Sequence, residues 1–441
     1  MNEQGHHPRA IFWICALALF TAALSFSIRT GASGAIKAAL LDPVVPLHSG
    51  EMIAAALGYS FLGFALSLLV ISPLLDVIGA KRAILLASGC YIAGPLLILL
   101  SPNAGEPGSV YRLLTIGMVV SGIGWGASEA SINPVVAALY PTEKTGKLNA
   151  LHAWWPAGIV IGGLASLLFF KQLELGWQAL IGLIPISGVV FGLWALTQQF
   201  PKTESTAMGV PFREMIAEPF RRPSFWIFPA IMFLTASAEL APGSWVDVAL
   251  TQTVGMPGII VLVYVSAIMF VMRHFAGALE HRLGDMGLLC LCTIPAAIGL
   301  YALSLAYSPV TALLAATAWA FGVCFMWPTM LAAAARRYPR SGPWGIGILG
   351  FAGAMAIYFV LPEIGKIYDR AKLEAAGGDQ AFAVLQPGPE LQRVLAYAAE
   401  RSFQAIAIVP AVLFFIFATV WLLERRHKAQ AAAPALEGSA S

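Results

Sequence analysis

Residues 72–82 read Ser-Pro-Leu-Leu-Asp-Val-Ile-Gly-Ala-Lys-Arg and join two long apolar runs. A partial copy, Gly-Ala-Leu-Glu-His-Arg-Leu-Gly, follows at 277–284, again between two apolar runs. Glycine permits a tight turn and a close approach of helices. Asp76 is suited to the N-terminus of a neighbouring helix or to pairing with a basic side chain. The recurrence of this loop at matching points predicts that the chain consists of two parallel repeats.

The composition indicates a protein surrounded by lipid. Hydrophobic residues make up 59% of the 441 residues, charged residues make up 11%, and the mean hydropathy is +0.78. A soluble domain carries roughly 25% charged residues, so this chain has too few charges to cover a surface in water. The net charge of +3 gives no sign of nucleic-acid binding. The five cysteines lie inside apolar stretches and are expected to be core residues, and no metal or other cofactor is expected.

Twelve apolar runs are long enough to span a bilayer as helices. They lie at 11–35, 52–75, 83–101, 112–139, 148–170, 176–198, 224–248, 257–280, 286–307, 310–335, 343–361 and 402–424. The predicted organisation is an N-terminal six-helix bundle (1–200), a linker (201–223), a C-terminal six-helix bundle (224–428) and a disordered tail (429–441). A second long connecting segment is predicted at 362–401.

The distribution of basic residues predicts the orientation. If both termini are cytoplasmic, sixteen Lys and Arg residues lie on the cytoplasmic side and eight on the other, and five of those eight fall in 362–401. Basic residues in short loops favour the cytoplasmic side, whereas long loops contribute little. The expectation is a multi-pass protein of the cell's inner membrane with both termini in the cytoplasm.

The loop at 72–82 resembles the signature of the major facilitator superfamily, Gly-x-Leu-Ala-Asp-Arg-x-Gly-Arg-Lys. Ser72 replaces the first glycine, and His281 stands at the acidic position of the second copy. The resemblance implies an all-α membrane protein with twelve transmembrane helices in two pseudo-symmetric halves that work by alternating access. Asp76, Lys81, Arg82 and Arg282 are then expected to hold one state closed. Arg273, near the cytoplasmic end of the eighth helix, is assigned a gating role ahead of substrate contact.

The fourth helix contains Gly-Ile-Gly-Trp-Gly-Ala-Ser-Glu-Ala-Ser-Ile-Asn-Pro at 122–134. This stretch resembles the fucose/glucose/galactose–proton symporter branch of the superfamily, which has a Glu before Asn-Pro at the same spacing. Glu129 and Asn133 are four residues apart and share one helix face, and Pro134 kinks the helix. An acid inside a membrane must face a wet cavity or a partner. Glu129 is therefore a candidate for reversible protonation, and a buried structural acid is the alternative.

The fifth helix begins with Leu-Asn-Ala-Leu-His-Ala-Trp-Trp-Pro at 148–156. Asn149 and His152 lie on one helix face. Amide, imidazole and indole groups together suit a sugar, through hydroxyl hydrogen bonds and stacking on a ring. Asn149, His152 and Trp155 are assigned to substrate binding with Asn133, although Trp154 or Trp155 facing lipid remains open.

Three other helices carry polar or aromatic candidates. Glu239 lies three residues before a Pro-Gly break in the seventh helix and is the second candidate proton carrier. Trp245, in the same helix, and Trp327, in the tenth, are candidate sugar platforms, and core packing is the alternative for Trp327. Arg29, in the first helix, either binds an anionic group, pairs with Glu129 or Glu239, or extends toward the membrane surface.

The resemblance places helices one, four, seven and ten around a central cavity, and Arg29, Glu129, Glu239 and Trp327 occupy one of these helices each. The predicted function is a monomeric, proton-coupled symporter of a hexose or related glycoside. An exporter or carrier of an anionic metabolite that uses Arg29, and a membrane sugar sensor without flux, are the alternatives. An enzyme is not expected, because the sequence has no nucleophile elbow, phosphate loop or metal cluster.

Overall fold

The computed structural model describes residues 7–140, 147, 150–201, 209, 211–251, 253–273 and 275–437, and every long regular element in these residues is a helix. Helices suit a bilayer because they satisfy their backbone hydrogen bonds internally. The first half contains α1 (Pro8–Ile36), α2 (Ser49–Ile78), α3 (Ala80–Leu100), α4 (Pro107–Leu139), α5 (Trp154–Leu167) and α6 (Ile184–Leu196).

An inter-half helix, Phe212–Arg221, leads to the second half. The second half contains α7 (Ile227–Leu250), α8 (Ile259–Arg273), α9 (Ala276–Ser304), α10a (Pro309–Val323), α10b (Met326–Arg337), α11 (Gly342–Ala376) and α12 (Pro389–Glu437). Eleven apolar segments in the described residues are long enough to cross a bilayer, and α8, with 15 residues, is the shorter twelfth. The protein is therefore a multi-pass membrane protein with an all-helical fold, as predicted.

The predicted long connection at 362–401 is wrong. α11 continues to Ala376 and α12 begins at Pro389, so that only a short connection with a five-residue helix, Asp379–Ala383, separates them. Charged residues lowered the hydropathy of this region, but they occupy helical positions. Gly377, with φ of 87°, ends α11 in the left-handed conformation. The interval 429–441, predicted to be disordered, is helical as far as Glu437, and 438–441 lie outside the described residues.

Two features recur at matching points of the halves. Gly79 ends α2 with φ of 85°, and Gly284 interrupts α9 with φ of 72°. Both glycines come from the repeated loop motif, and both conformations are unfavourable for residues with a Cβ. Tyr140 and Tyr338 follow α4 and α10b with nearly equal φ of −132° and −131°. The predicted repeat is therefore present in the backbone.

The helix pairing has the same symmetry. In the first half α1 packs on α5, α3 on α4, and α3 on α6, while in the second half α7 packs on α11, α9 on α10a, and α9 on α12. The halves meet mainly along α2–α11 and α5–α8, two pairs that exchange when the halves are exchanged. α1 is deeply enclosed, with 78% of its most apolar window buried against 28% for α12. Polar side chains on α1 and its neighbours are thereby kept from lipid.

The two ends of the bundle are named here by the chain termini. The inner end carries the start of α1, the inter-half helix and the end of α12. The outer end carries the α1–α2, α7–α8 and α11–α12 connections.

Candidate functional site

Prolines inside two helices of the second half release backbone carbonyls that side chains then bind. Pro242 has no N–H for the carbonyl of Ala238, and the Trp319 indole Nε1 donates to that oxygen at 3.1 Å. Pro328 likewise leaves the carbonyl of Cys324 free between α10a and α10b, and Arg273 Nε donates to it at 3.2 Å. The sequence Trp-Pro at 327–328 therefore places the guanidinium of Arg273 at the break in the tenth helix.

The first half presents a chain of three polar side chains. Asn133 Nδ2 donates to Glu129 Oε2 at 3.3 Å, one helical turn away on α4. The Asn133 Oδ1 atom lies 2.8 Å from Nε2 of His152, which precedes α5. Asn133 thus joins the carboxylate to the imidazole, and its contact with Glu129 is consistent with the helix face that the two residues were predicted to share.

The second half presents an acid and a base. Arg273 Nη2 lies 3.6 Å from Glu239 Oε1 and forms an ion pair with it. The Glu239 side chain is 5% exposed, and its Oε2 atom has no hydrogen-bond partner among the described residues. A buried carboxylate oxygen without a partner is unfavourable, so this atom is suited to a substrate hydroxyl or a proton.

The two groups face one another across the α5–α8 junction. His152 lies at the start of the fifth membrane span, Arg273 ends α8, and α5 packs on α8. We refer to Glu129, Asn133, His152, Glu239 and Arg273 as the central cluster. It contains carboxylates, an amide, an imidazole and a guanidinium, which together can accept and donate hydrogen bonds to a polyhydroxylated solute.

Trp155 belongs to an aromatic column inside the first half. Its ring stacks on Trp125 with centroids 4.8 Å apart, and Trp125 stacks on Phe64 at 4.3 Å. Trp155 is 8% exposed, whereas Trp154 is half-buried and meets Trp13 edge to face. The column fixes α4 against α2 and α5, so it holds the helices that carry Glu129 and His152.

Arg29 is enclosed in the first half, with 2% exposure. Its Nε donates to the carbonyl of Ser25 at 3.0 Å, and its Nη1 lies 3.8 Å from the sulfur of Met118. No carboxylate among the described residues lies within ion-pair distance of Arg29, so the pairings predicted with Glu129 or Glu239 are absent from this conformation.

The two remaining tryptophan candidates each pack against another helix. Trp245 is 1% exposed, and its indole donates to Ser402 Oγ at 3.2 Å between α7 and α12. Trp327 is half-buried and packs against Gly353 of α11. Asn149 lies outside the described residues.

The residues predicted to act in gating lie in different parts of the structure. Lys81 Nζ donates to the carbonyl of Leu196 at 2.7 Å and ties α3 to the end of α6. Arg82 and Arg282 are exposed, and the side chain of Asp76 lies outside the described part of the structure. Arg273 lies in the central cluster, where it forms the ion pair with Glu239.

An ion-pair cluster at the inner end was not predicted. Arg337 of α10b binds Asp285 of α9 at 2.6 Å and Glu424 of α12 at 2.7 Å. Partial burial alone would lower the pKa of the Arg337 guanidinium, but the hydrogen bonds to Asp285 and Glu424 raise this pKa above its usual value. Asp285 directly follows Gly284, so the repeated loop motif was the signal that could have identified it.

A second unpredicted feature closes the outer end. The N–H of Gly34 on α1 donates to Asp247 of α7 at 3.2 Å, and the N–H of Glu51 on α2 donates to Asp369 of α11 at 2.7 Å. We call these two contacts the outer latches. Both bring an acid of the second half to the backbone of the first. A cavity of about 510 Å³ lies beside the Asp247 latch and is also lined by Lys37, Asp42 and Tyr368.

Comparison with known protein families supports the fold and the repeat. The family model described as Major Facilitator Superfamily matches residues 15–362. The chain belongs to the major facilitator superfamily. Members of this superfamily are transporters and not enzymes, so the helical halves and their polar junction form a transporter scaffold.

Curated relatives within the superfamily match parts of the chain. Polyol transporter 5 of Arabidopsis thaliana is 30% identical over 123 residues, which are 27% of this chain and 22% of the relative. The glucose transporter GlcP of Staphylococcus epidermidis is 30% identical over 166 residues, or 36% of this chain and 34% of the relative. The chain therefore aligns with about a fifth to a third of the length of these relatives.

Solved structures of the superfamily share the fold over nearly the whole chain. The xylose transporter XylE from E. coli, in a partially occluded inward open conformation, superposes with a TM-score of 0.70, 12% identity, and coverage of 93% of this chain and 98% of that one. The E. coli fucose:proton symporter FucP superposes with a TM-score of 0.58, 16% identity, and coverage of 93% and 98%.

Proposed function

We propose that this transporter is a proton-coupled symporter of a hexose or related polyol. The observation that carries the proposal is the central cluster, in which Glu129, Asn133 and His152 of the first half face Glu239 and Arg273 of the second. Sugar hydroxyls are donors and acceptors at once, and this cluster offers both. Relatives named as glucose and polyol transporters, and fold neighbours named as proton symporters, support the same class of solute and coupling.

The proposed proton carrier is one of the two intramembrane acids. Glu129 is hydrogen-bonded to a neutral amide, so protonation there requires no ion pair to break. Glu239 has an ion-pair partner on one oxygen and none on the other. In either case, protonation neutralises the carboxylate. A neutral acid has a lower free-energy cost than a charged one when the site closes and water is excluded from it.

The proposed cycle is alternating access around the central cluster. The outer latches close the outer end in this conformation. Opening that end requires α1 to leave α7 and α2 to leave α11, which a rigid rocking of the halves about the cluster achieves. The basic residues at the inner end support an orientation with both termini in the cytoplasm of a cell whose inner membrane holds the protein.

The experiment is uptake of labelled hexoses and polyols into proteoliposomes under an imposed pH gradient. Wild-type protein is expected to accumulate one of these solutes against its gradient. Glu129→Gln is expected to abolish accumulation but to keep exchange of solute between equal concentrations, because exchange needs no net proton movement. Glu106→Gln, at an exposed outer acid, is the matched control and is expected to behave as wild type.

Two outcomes bear on different parts of the proposal. If Glu129→Gln and Glu239→Gln each retain accumulation driven by the pH gradient, the assignment of the proton is wrong. If wild-type protein carries anionic metabolites and no neutral sugar, the substrate class is wrong. The enclosed position of Arg29 in the first half does not favour that second result.

A further inference from the structure

The inter-half helix, Phe212–Arg221, has two distinct faces. Met215, Glu218 and Pro219 are buried on one face. Phe212, Ile216 and Phe220 are spaced by four residues and share the neighbouring face. Phe212 is 53% exposed and Phe220 is 61% exposed. The helix therefore buries its polar Glu218 toward protein and exposes an apolar stripe.

The exposed stripe continues into the start of α7. The ring of Phe220 lies 5.6 Å from that of Trp226, which is 43% exposed, and Ile227 beside it is 55% exposed. Because α7 crosses the bilayer from this point, the stripe lies at the depth where a membrane span meets water. A short amphipathic helix with aromatic residues at that depth is typical of a helix that lies in the membrane surface.

Exposed arginines border the stripe. Arg213 and Arg221 are exposed, and no carboxylate among the described residues pairs with either. Arg222, the next residue, is 58% exposed at its side chain even though it pairs with Glu218. Guanidinium groups beside an apolar surface at the membrane boundary match a phosphate-bearing lipid headgroup in charge and in hydrogen-bonding geometry.

Other residues of the same helix fix it to the second half. Glu214 Oε2 binds Arg340 at 2.6 Å, and Met215 lies against Gly342 at the start of α11. The Tyr338 hydroxyl donates to Ser224 at 2.8 Å. The helix is thus held against the α10b–α11 connection, and its arginines and apolar stripe keep a defined direction.

We propose that the inter-half helix is a docking surface for anionic phospholipid in the leaflet at the inner end of the protein. Phe212, Ile216 and Phe220 enter the boundary of the acyl chains, and Arg213 and Arg221 bind the headgroup phosphates. The proposal does not depend on which solute the protein carries.

The test uses the full chain with Ala217→Cys on the inter-half helix, labelled with an environment-sensitive dye. The five native cysteines are buried, and unmodified protein taken through the same labelling supplies the background. The protein is reconstituted into vesicles that contain brominated phosphatidylglycerol or, in a parallel sample, the same fraction of brominated phosphatidylcholine. The wild-type helix is expected to show stronger quenching by the anionic lipid.

Two sets of variants distinguish the contribution of the arginine charges to lipid binding from that of the apolar side chains. Arg213→Gln with Arg221→Gln is expected to reduce the preference for phosphatidylglycerol roughly twenty-five-fold, because each arginine near an anionic surface contributes about a fivefold gain. Arg370→Gln with Arg393→Gln removes two exposed arginines at the outer end and is expected to leave the preference unchanged. Phe212→Ser with Phe220→Ser is expected to reduce quenching by both lipids.

Three results would overturn the proposal. Equal quenching of the wild type by both brominated lipids excludes selective binding. An unchanged preference in the Arg213 and Arg221 variant excludes these arginines as the binding groups. An equal loss in the Arg370 and Arg393 variant assigns the preference to the overall charge of the protein.

Discussion

At the scale of single residues, the central cluster depends on which backbone groups the prolines leave free. Pro328 removes the donor for the Cys324 carbonyl, and Arg273 occupies that acceptor while it also pairs with Glu239. One guanidinium therefore ties α8 to α7 and to the break in the tenth helix. Neither contact follows from the position of Arg273 in the sequence. That position, near the inner end of the eighth helix, had predicted a gating role.

Arg273→Met is expected to lower the thermal stability of the purified protein more than Glu239→Gln does. The first change leaves a buried carboxylate without its counter-charge, a defect that costs about 3 kcal/mol in buried pairs. The double variant should recover part of the loss, because it removes both charges. Unfolding temperatures of the four proteins in detergent provide the measurement, and a double variant as unstable as Arg273→Met would contradict the ion pair.

At the scale of helices, the outer latches depend on glycine. A Cβ at Gly34 would lie 2.8 Å from Asp247 Oδ2, and one at Gly50 would lie 2.6 Å from Asp369 Oδ1. Either contact is too short, so alanine at these positions pushes the acid away from the backbone it binds. Lys372 also holds Asp369 at 2.7 Å and the Pro46 carbonyl at 3.1 Å, which makes the α11 latch the more rigid one.

Gly34→Ala is expected to shift the population toward an open outer end by roughly tenfold, since a hydrogen bond to a charged group contributes about 1.5 kcal/mol. Nitroxides at Ala39 and Val384, on the two halves at this end, allow the distance to be measured. Gly89→Ala is the control, because a Cβ there meets open space. A distance distribution that Gly34→Ala leaves unchanged would rule out the α1–α7 latch as a determinant of closure.

At the scale of the whole molecule, the symmetry of the helix contacts identifies which surfaces must slide. The α2–α11 and α5–α8 pairs join the halves, while the α3–α6 and α9–α12 pairs lie within them. A rocking motion separates pairs of the first kind at one end and leaves pairs of the second kind intact.

A disulfide between the halves is therefore expected to stop transport, and one within a half is not. A Cβ at Gly365 would lie 2.9 Å from that of Ala54 across α2–α11, and one at Gly192 would lie 2.8 Å from that of Ser88 across α3–α6. Oxidation of Ala54→Cys with Gly365→Cys should abolish uptake, and reduction should restore it. The Ser88→Cys and Gly192→Cys pair is the matched control. Continued uptake in the oxidised inter-half pair would argue against the rocking motion.

The sequence by itself determined the membrane location, the helical class, the repeat and the position of the Glu129–Asn133 pair. These properties are local, because hydropathy over about twenty residues, a glycine that needs positive φ, and two side chains one turn apart on one helix are all set by neighbours in the chain. The sequence failed at 362–401, where charged residues that pair within α11, such as Asp369 and Lys372, lowered the hydropathy of a continuous helix.

Only the tertiary structure decided what the polar residues meet. The decisive contacts join residues that lie far apart in the chain: Arg273 pairs with Glu239, and Asp247 and Asp369 form the outer latches. The enclosure of Arg29 and the burial of Trp245 likewise depend on helices that are distant in the sequence. Such contacts depend on how helices rotate and cross, and small differences in rotation turn a side chain from a junction between halves to the interior of one half. The loop at 72–82 and its second copy were enough to predict the fold. The contacts that close the outer end could be seen only once the helices were packed together.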